Sequence, residues 1–167
     1  KNPLQLALLT AIACTASARA ANLTWDTLAG DGANITAGGG NWDTSTVIWN
    51  NAGSDAAWSQ TSATVATNAA IFAGTDGLEG AYPVSVTTGI AAQTLAFNNT
   101  GYALSAGAAR TITLTSNTLS VSSGKSASIG TNVTASFSAT GSQSNIAGGG
   151  TLKISGTGAT VTKPSNV

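Results

Sequence analysis

Thr111-Ile112-Thr113-Leu114 and, shortly after it, Thr118-Leu119-Ser120-Val121 place a large apolar residue at every second position. A small or hydroxylated residue stands between each pair. Alternation of period 2 marks a strand with one buried face. The pattern extends outward in both directions. Upstream lie Val84-Ser85-Val86 and Thr94-Leu95-Ala96-Phe97; downstream lie Val133-Thr134-Ala135-Ser136-Phe137 and Thr151-Leu152-Lys153-Ile154. Gly, Asn and Ser fill the intervals, as turns require. Residues from Tyr82 to Val161 therefore read as a succession of short strands.

A repeat runs beneath these strands. Leu95, Ile112, Ile129 and Ile146 are seventeen residues apart, and so are Gly107, Gly124, Gly141 and Gly158. Two registers with one step predict stacked coils of roughly 17–25 residues, each burying its apolar face against its neighbours. The expected fold is all-β: a right-handed parallel β-solenoid, or β-helix, from about Tyr82 onward, after an irregular Trp-rich N-terminal β cap. Leu95, Phe97, Ile112, Leu114, Ile129 and Ile154 should point inward, with Thr and Ser on the outer faces. The alternative is a β-sandwich, whose strands recur every ~8–12 residues. Two facing antiparallel sheets would identify it.

Residues 1–20 read as a signal peptide. A basic start leads into an apolar run from Leu4 to Cys14, and Ala18-Arg19-Ala20 supplies the small residues of a cleavage site before Ala21. The run is too short to span a bilayer. Export to an extracellular or outer-membrane surface is the expectation. Cys14 is the only cysteine, so the processed chain has none and must rest on its core and backbone pairing. Residues 21–80 form the expected cap, and residues 81–167 the solenoid rungs.

Charge is sparse and uneven. Asp26, Asp31, Asp43, Asp55, Asp76 and Glu79 precede residue 80, whereas Arg110, Lys125, Lys153 and Lys163 follow it. No basic cluster gives nucleic-acid binding an electrostatic footing. The absence of His removes the commonest general base and the usual zinc ligands. Residues 81–167 hold no Asp or Glu, so the rungs cannot supply the paired carboxylates of a glycosidase or the ligands of a calcium site. Asp26 and Asp43, each following a Trp, could face each other across neighbouring strands; as turn residues they need no special role. Gly38-Gly39-Gly40-Asn41-Trp42-Asp43 approaches a calcium-binding nonapeptide, but Asn41 stands where Gly belongs and the unit is not repeated. No catalytic residue, cofactor or metal is expected.

All four tryptophans, Trp25, Trp42, Trp49 and Trp58, fall within the cap. Indoles bury large areas, and a Thr- and Ala-rich chain has few other bulky residues, so they suit the core of a cap that covers the first rung. Exposed, the same four rings would form a glycan-stacking platform.

Leu23-Thr24-Trp25-Asp26, Gly40-Asn41-Trp42-Asp43, Ile48-Trp49-Asn50, Ala70-Ile71-Phe72 and Thr94-Leu95-Ala96-Phe97-Asn98 together resemble the N-terminal region of bacterial autotransporter-associated β-strand repeat proteins. Gly149-Gly150-Thr151-Leu152-Lys153-Ile154-Ser155-Gly156 resembles the start of that family's repeat. The resemblance implies a β-helical passenger, secreted or displayed at the surface, often carried by a C-terminal outer-membrane barrel. The function expected is a non-catalytic adhesin, stalk or spacer, with further β-repeats of the parent chain as neighbours and a surface glycan or a host or neighbour-cell molecule as ligand. The alternative is a carbohydrate-binding module using the cap tryptophans. The last rung, near Leu152 and Ile154, is expected to continue in the parent protein.

Overall fold

The computed structural model describes residues 20–61, 66–138 and 145–162. The expected signal peptide lies outside them apart from its final residue, as do Gly141, Lys163 and Pro164. The described residues form strands and no helix: β1 (Asn22–Trp25), β2 (Gly40–Trp42), β3 (Val47–Asn51), β4 (Ser54–Ala57), β5 (Ala69–Phe72), β6 (Tyr82–Val86), β7 (Ile90–Phe97), β8 (Tyr102–Ser105), β9 (Arg110–Val121), β10 (Ser126–Ile129), β11 (Val133–Phe137), β12 (Asn145–Ala147), β13 (Thr151–Ile154) and β14 (Thr160–Thr162).

They build two sheets. One runs β14-β11-β9-β7-β5-β1-β3-β4 with β12 also on β9; the other runs β13-β10-β8-β6-β2. From β5 to β11 the chain crosses from one sheet to the other at each strand. Every pairing between β1 and β14 along the larger sheet is parallel, apart from the β1–β3–β4 excursion, and every pairing in the smaller sheet is parallel. The chain is a parallel β-solenoid of about three turns. A β-sandwich is set aside, because antiparallel pairing is confined to β1–β3, β3–β4 and the single bridge of Thr61 with Ile90 among the described residues.

Each rung has three sides. Residues 90–92 of β7 lie against 112–114 of β9, and 94–97 lie against 118–121, with a shift of register between the halves. Gln93 alone turns this corner in β7, whereas β9 uses Thr115, Ser116 and Asn117. Asn117 takes φ 52° there, a left-handed conformation that Asn tolerates better than other side chains. One rung later the halves separate: β11 pairs with the first half of β9 and β12 with the second. The smaller sheet is the third side.

The register differs from the seventeen-residue step. Leu95 lies beside Leu119, and Ile112 lies between Ile90 and Ala135. Among the pairings from β5 to β14, partners are separated by as few as twenty residues, Tyr82 on Tyr102, and as many as twenty-seven, Thr118 on Asn145. The step of seventeen links residues on different sides, since Ile112 is in β9 and Ile129 in β10. Alternation decides which face a side chain takes, while the lengths of the turns decide its partner, and these turns vary. The true register stacks like on like: Leu95 on Leu119, Ile90 on Ile112, Phe72 on Phe97. The Phe72 and Phe97 rings lie 5.2 Å apart and 20° from parallel.

Leu95, Phe97, Ile112, Leu114 and Ile129 are fully buried, as their alternation requires. Ile154 differs: it pairs with buried Ile129 yet is 47% exposed, because β13 is the outermost strand of its sheet. Hydroxyls line the outer sides, with Thr134 and Thr160 Oγ1 atoms 2.8 Å apart and Ser122 Oγ donating to Asn98 Oδ1 at 3.1 Å. At the opposite end the strands of residues 21–80 extend both sheets, β1 pairing with β5 and β2 with β6. The antiparallel β3–β4 hairpin is the irregular part.

Candidate functional site

The Trp-rich end is the most distinctive place in the molecule. Strand alternation turns Trp25, Trp42 and Trp49 inward from β1, β2 and β3, and Trp58 follows β4. All four are 0% exposed and join Phe72 in one cluster. Trp49 and Trp58 have ring centroids 4.8 Å apart; Trp42 meets Trp58 edge-on at 5.4 Å, and Trp25 meets Trp49 edge-on at 5.2 Å. These are the offset and T-shaped arrangements that ring quadrupoles favour. Trp25 Nε1 donates to Gly38 O at 3.0 Å, and Trp58 Nε1 to Gln60 O at 2.8 Å. The glycan-stacking role considered for Trp25, Trp42, Trp49 and Trp58 needs an open ring face, and none of the four has one. Their shape complementarity is directed at one another.

The glycines beside the cluster have a packing reason. A Cβ on Gly40 would stand 2.5 Å from Ile48 Cδ1 and 3.1 Å from Trp25 Cζ2, and one on Gly39 would stand 2.6 Å from Pro83 O. Gly39 and Gly40, leading into β2, thus pass close to the neighbouring rung and to an indole.

Asp26 and Asp43 serve separate loops. Asp26 is buried after β1, and its Oδ1 accepts from Leu28 N at 3.2 Å and Thr36 N at 3.1 Å. Asp43 follows β2, and its oxygens accept from Ser45 N, Ser45 Oγ, Thr46 N and Thr46 Oγ1. Partial burial pushes the Asp43 carboxyl up, but these four hydrogen bonds outweigh it and hold the group below the usual carboxylate range. Neither residue points its oxygens at the other. No group of three or more potential metal ligands occurs among the described residues.

The loop of residues 73–81, between β5 and β6, lies across several rungs. Asp76 accepts from Thr100 N at 2.8 Å and pairs with Lys125, and Glu79 pairs with Lys153. Gly77 N donates to Thr100 O at 2.9 Å, and Tyr102 Oη to Ala73 O at 2.8 Å. The hydrogen bond from Lys125, with that from Thr100 N, holds the Asp76 carboxyl below its ordinary range.

Composition drew attention to the tryptophans and carboxylates and passed over Arg110. That residue lies at the start of β9, in a cleft of about 320 Å³ lined by Ser85, Val86, Thr87, Gly107, Ala108 and Arg110. Arg110 Nε donates to Thr87 O at 2.9 Å and Nη1 to Ala109 O at 3.3 Å. Its only signal in the sequence is a single cation after the small residues Gly107-Ala108-Ala109. No protein-family model matches the chain, and no characterised protein or solved structure shows significant similarity to it.

Proposed function

We propose that the chain is a non-catalytic structural passenger, exported and displayed at the cell surface or beyond it as an adhesin, stalk or spacer. The observation that carries this is the asymmetry of the stack. One end is filled by the indole cluster and the β3–β4 hairpin. At the other, Ile146 and Ile154 continue the buried positions of Leu119 and Ile129 but are 57% and 47% exposed. The outer edges of β12, β13 and β14 have no neighbour among the described residues. An apolar rung with free strand edges suits the addition of another rung. Further β-repeats of the parent chain would supply it, and a C-terminal outer-membrane barrel would hold the rod at the surface.

Five of the six carboxylates support a role without catalysis, Asp31 being the one with a buried oxygen that has no hydrogen-bond partner among the described residues. Asp26, Asp43, Asp55, Asp76 and Glu79 are each engaged by backbone or side-chain donors, and no two of them converge on an open cleft. The competing function, a carbohydrate-binding module using the cap tryptophans, has no observation in its favour with all four rings enclosed.

The test is labelling of intact cells producing the parent protein with a membrane-impermeant amine reagent. Lys125 and Lys153, both partly exposed, should be modified before lysis. Modification only after lysis overturns surface display. Turnover of any polysaccharide by the purified chain overturns the non-catalytic assignment.

A further inference from the structure

The described residues contain three cations, and two of them, Lys125 and Lys153, are ion-paired. Arg110 has no carboxylate partner among the described residues. It is nonetheless fixed in place, because Thr87 O and Ala109 O hold its Nε and Nη1. A guanidinium offers five N–H donors in a rigid fork. Two carbonyls leave part of that fork unused, and it lines a shallow, open cleft. Ser85 faces outward between buried Val84 and Val86, and Thr87 is exposed beside it, so two hydroxyls border the same space. Ala108, exposed at the same cleft, contributes a small apolar wall. The turn at Gly107 leaves the mouth open: a Cβ there would meet nothing within 4 Å.

We propose that this cleft binds the carboxylate of an acidic sugar of about one residue. The carboxylate takes the open edge of the Arg110 fork, as charge-assisted pairs with arginine do. The hydroxyls of Ser85 and Thr87 meet the hydroxyls of the ring, and the Ala108 methyl lies against its apolar face. The volume is at the lower end of the range for ligand pockets, which suits one sugar rather than a long chain. The site is independent of the tryptophan cluster and of the display function proposed above.

The experiment is a ¹⁵N NMR titration of the protein with D-glucuronate, with D-glucose and acetate as separate arms. Glucuronate should give saturable millimolar shifts confined to residues 85–87 and 107–110, while glucose and acetate give weaker ones. Arg110→Gln should weaken glucuronate binding about 10–100-fold, the range expected for a lost hydrogen bond to a charged group. Gly107→Phe leaves Arg110 intact, fills open space and should block binding with the circular dichroism unchanged. This second variant decides the matter if the first disturbs the fold. Absence of saturable shifts overturns the proposal, as does binding unaffected by Gly107→Phe. Acetate binding as tightly as glucuronate overturns the assignment to a sugar.

Discussion

Trp42 touches Trp49, Trp58 and Phe72 within 5.5 Å between ring centroids, and nothing in the cluster can close over its absence. Trp42→Ala should therefore cost about 3–5 kcal/mol, the usual loss for a large buried aromatic. Chemical denaturation should show this as a lower midpoint at unchanged slope, with loss of the near-ultraviolet aromatic signal. A loss under about 1 kcal/mol, the size of an ordinary substitution, would mean that the cluster is not a packed core. A different test applies at Asn132, which has φ 61° at a turn whose counterpart one rung on, beside the Thr134–Thr160 pair, is Gly158 at φ 73°. Asn132 Nδ2 also donates to Ala106 O at 3.2 Å on the previous rung. Asn132→Val should destabilise by about 1–2 kcal/mol or more, since a branched side chain disfavours the left-handed region, and Asn132→Gly should cost less. Equal thermal midpoints for the two variants would show that the backbone conformation is not what selects Asn there.

Among the elements, the loop of residues 73–81 contributes stability that depends on pH. A carboxyl with a lower pKa folded than unfolded contributes fully above its unfolded value of about 4, and that contribution disappears as pH falls through the folded value. Asp76 is such a group, and Asp43 is another. Acidification below about pH 4 should free Thr100 N from Asp76, seen as a shift of that amide absent in Asp76→Asn. A Thr100 resonance that ignores the titration would remove Asp76 as the cause. The strands themselves were largely legible. The alternating segments at 133–137 and 151–154 coincide with β11 and β13, and two separate segments, 111–114 and 118–121, proved to be halves of β9. Their pairing was not legible, because the corner residues Thr115, Ser116 and Asn117 lengthen one rung without disturbing its alternation. Repeated pairs of like residues, Phe72 with Phe97 and Tyr82 with Tyr102, carried the register. The indoles were legible as bulk at one end, whereas the Arg110 cleft depends on a turn geometry that no pattern encodes.

At the scale of the whole molecule, the ends behave differently. Residues 145–162 have apolar positions half open, so their amides should exchange well before those of β7 and β9. Sedimentation should show association that grows with concentration, through the edges of β12, β13 and β14. A strictly monomeric species with strong protection through Val161 would show that this end is already closed. The loop of residues 73–81 then matters in a way that contacts alone do not convey. A solenoid pulled along its axis behaves like a zipper, its rungs yielding one after another at nearly the same force. Here Lys125 and Lys153 are tethered to Asp76 and Glu79, which precede β6 in the chain. The tether runs alongside the zipper as a stay runs beside a mast. Tension applied at β13 is divided between the strand ladder and this stay, and passes directly to the neighbourhood of the first rungs. Exposed ion pairs of this kind contribute little, so the stay should let go before the ladder does and add one small early step to the extension.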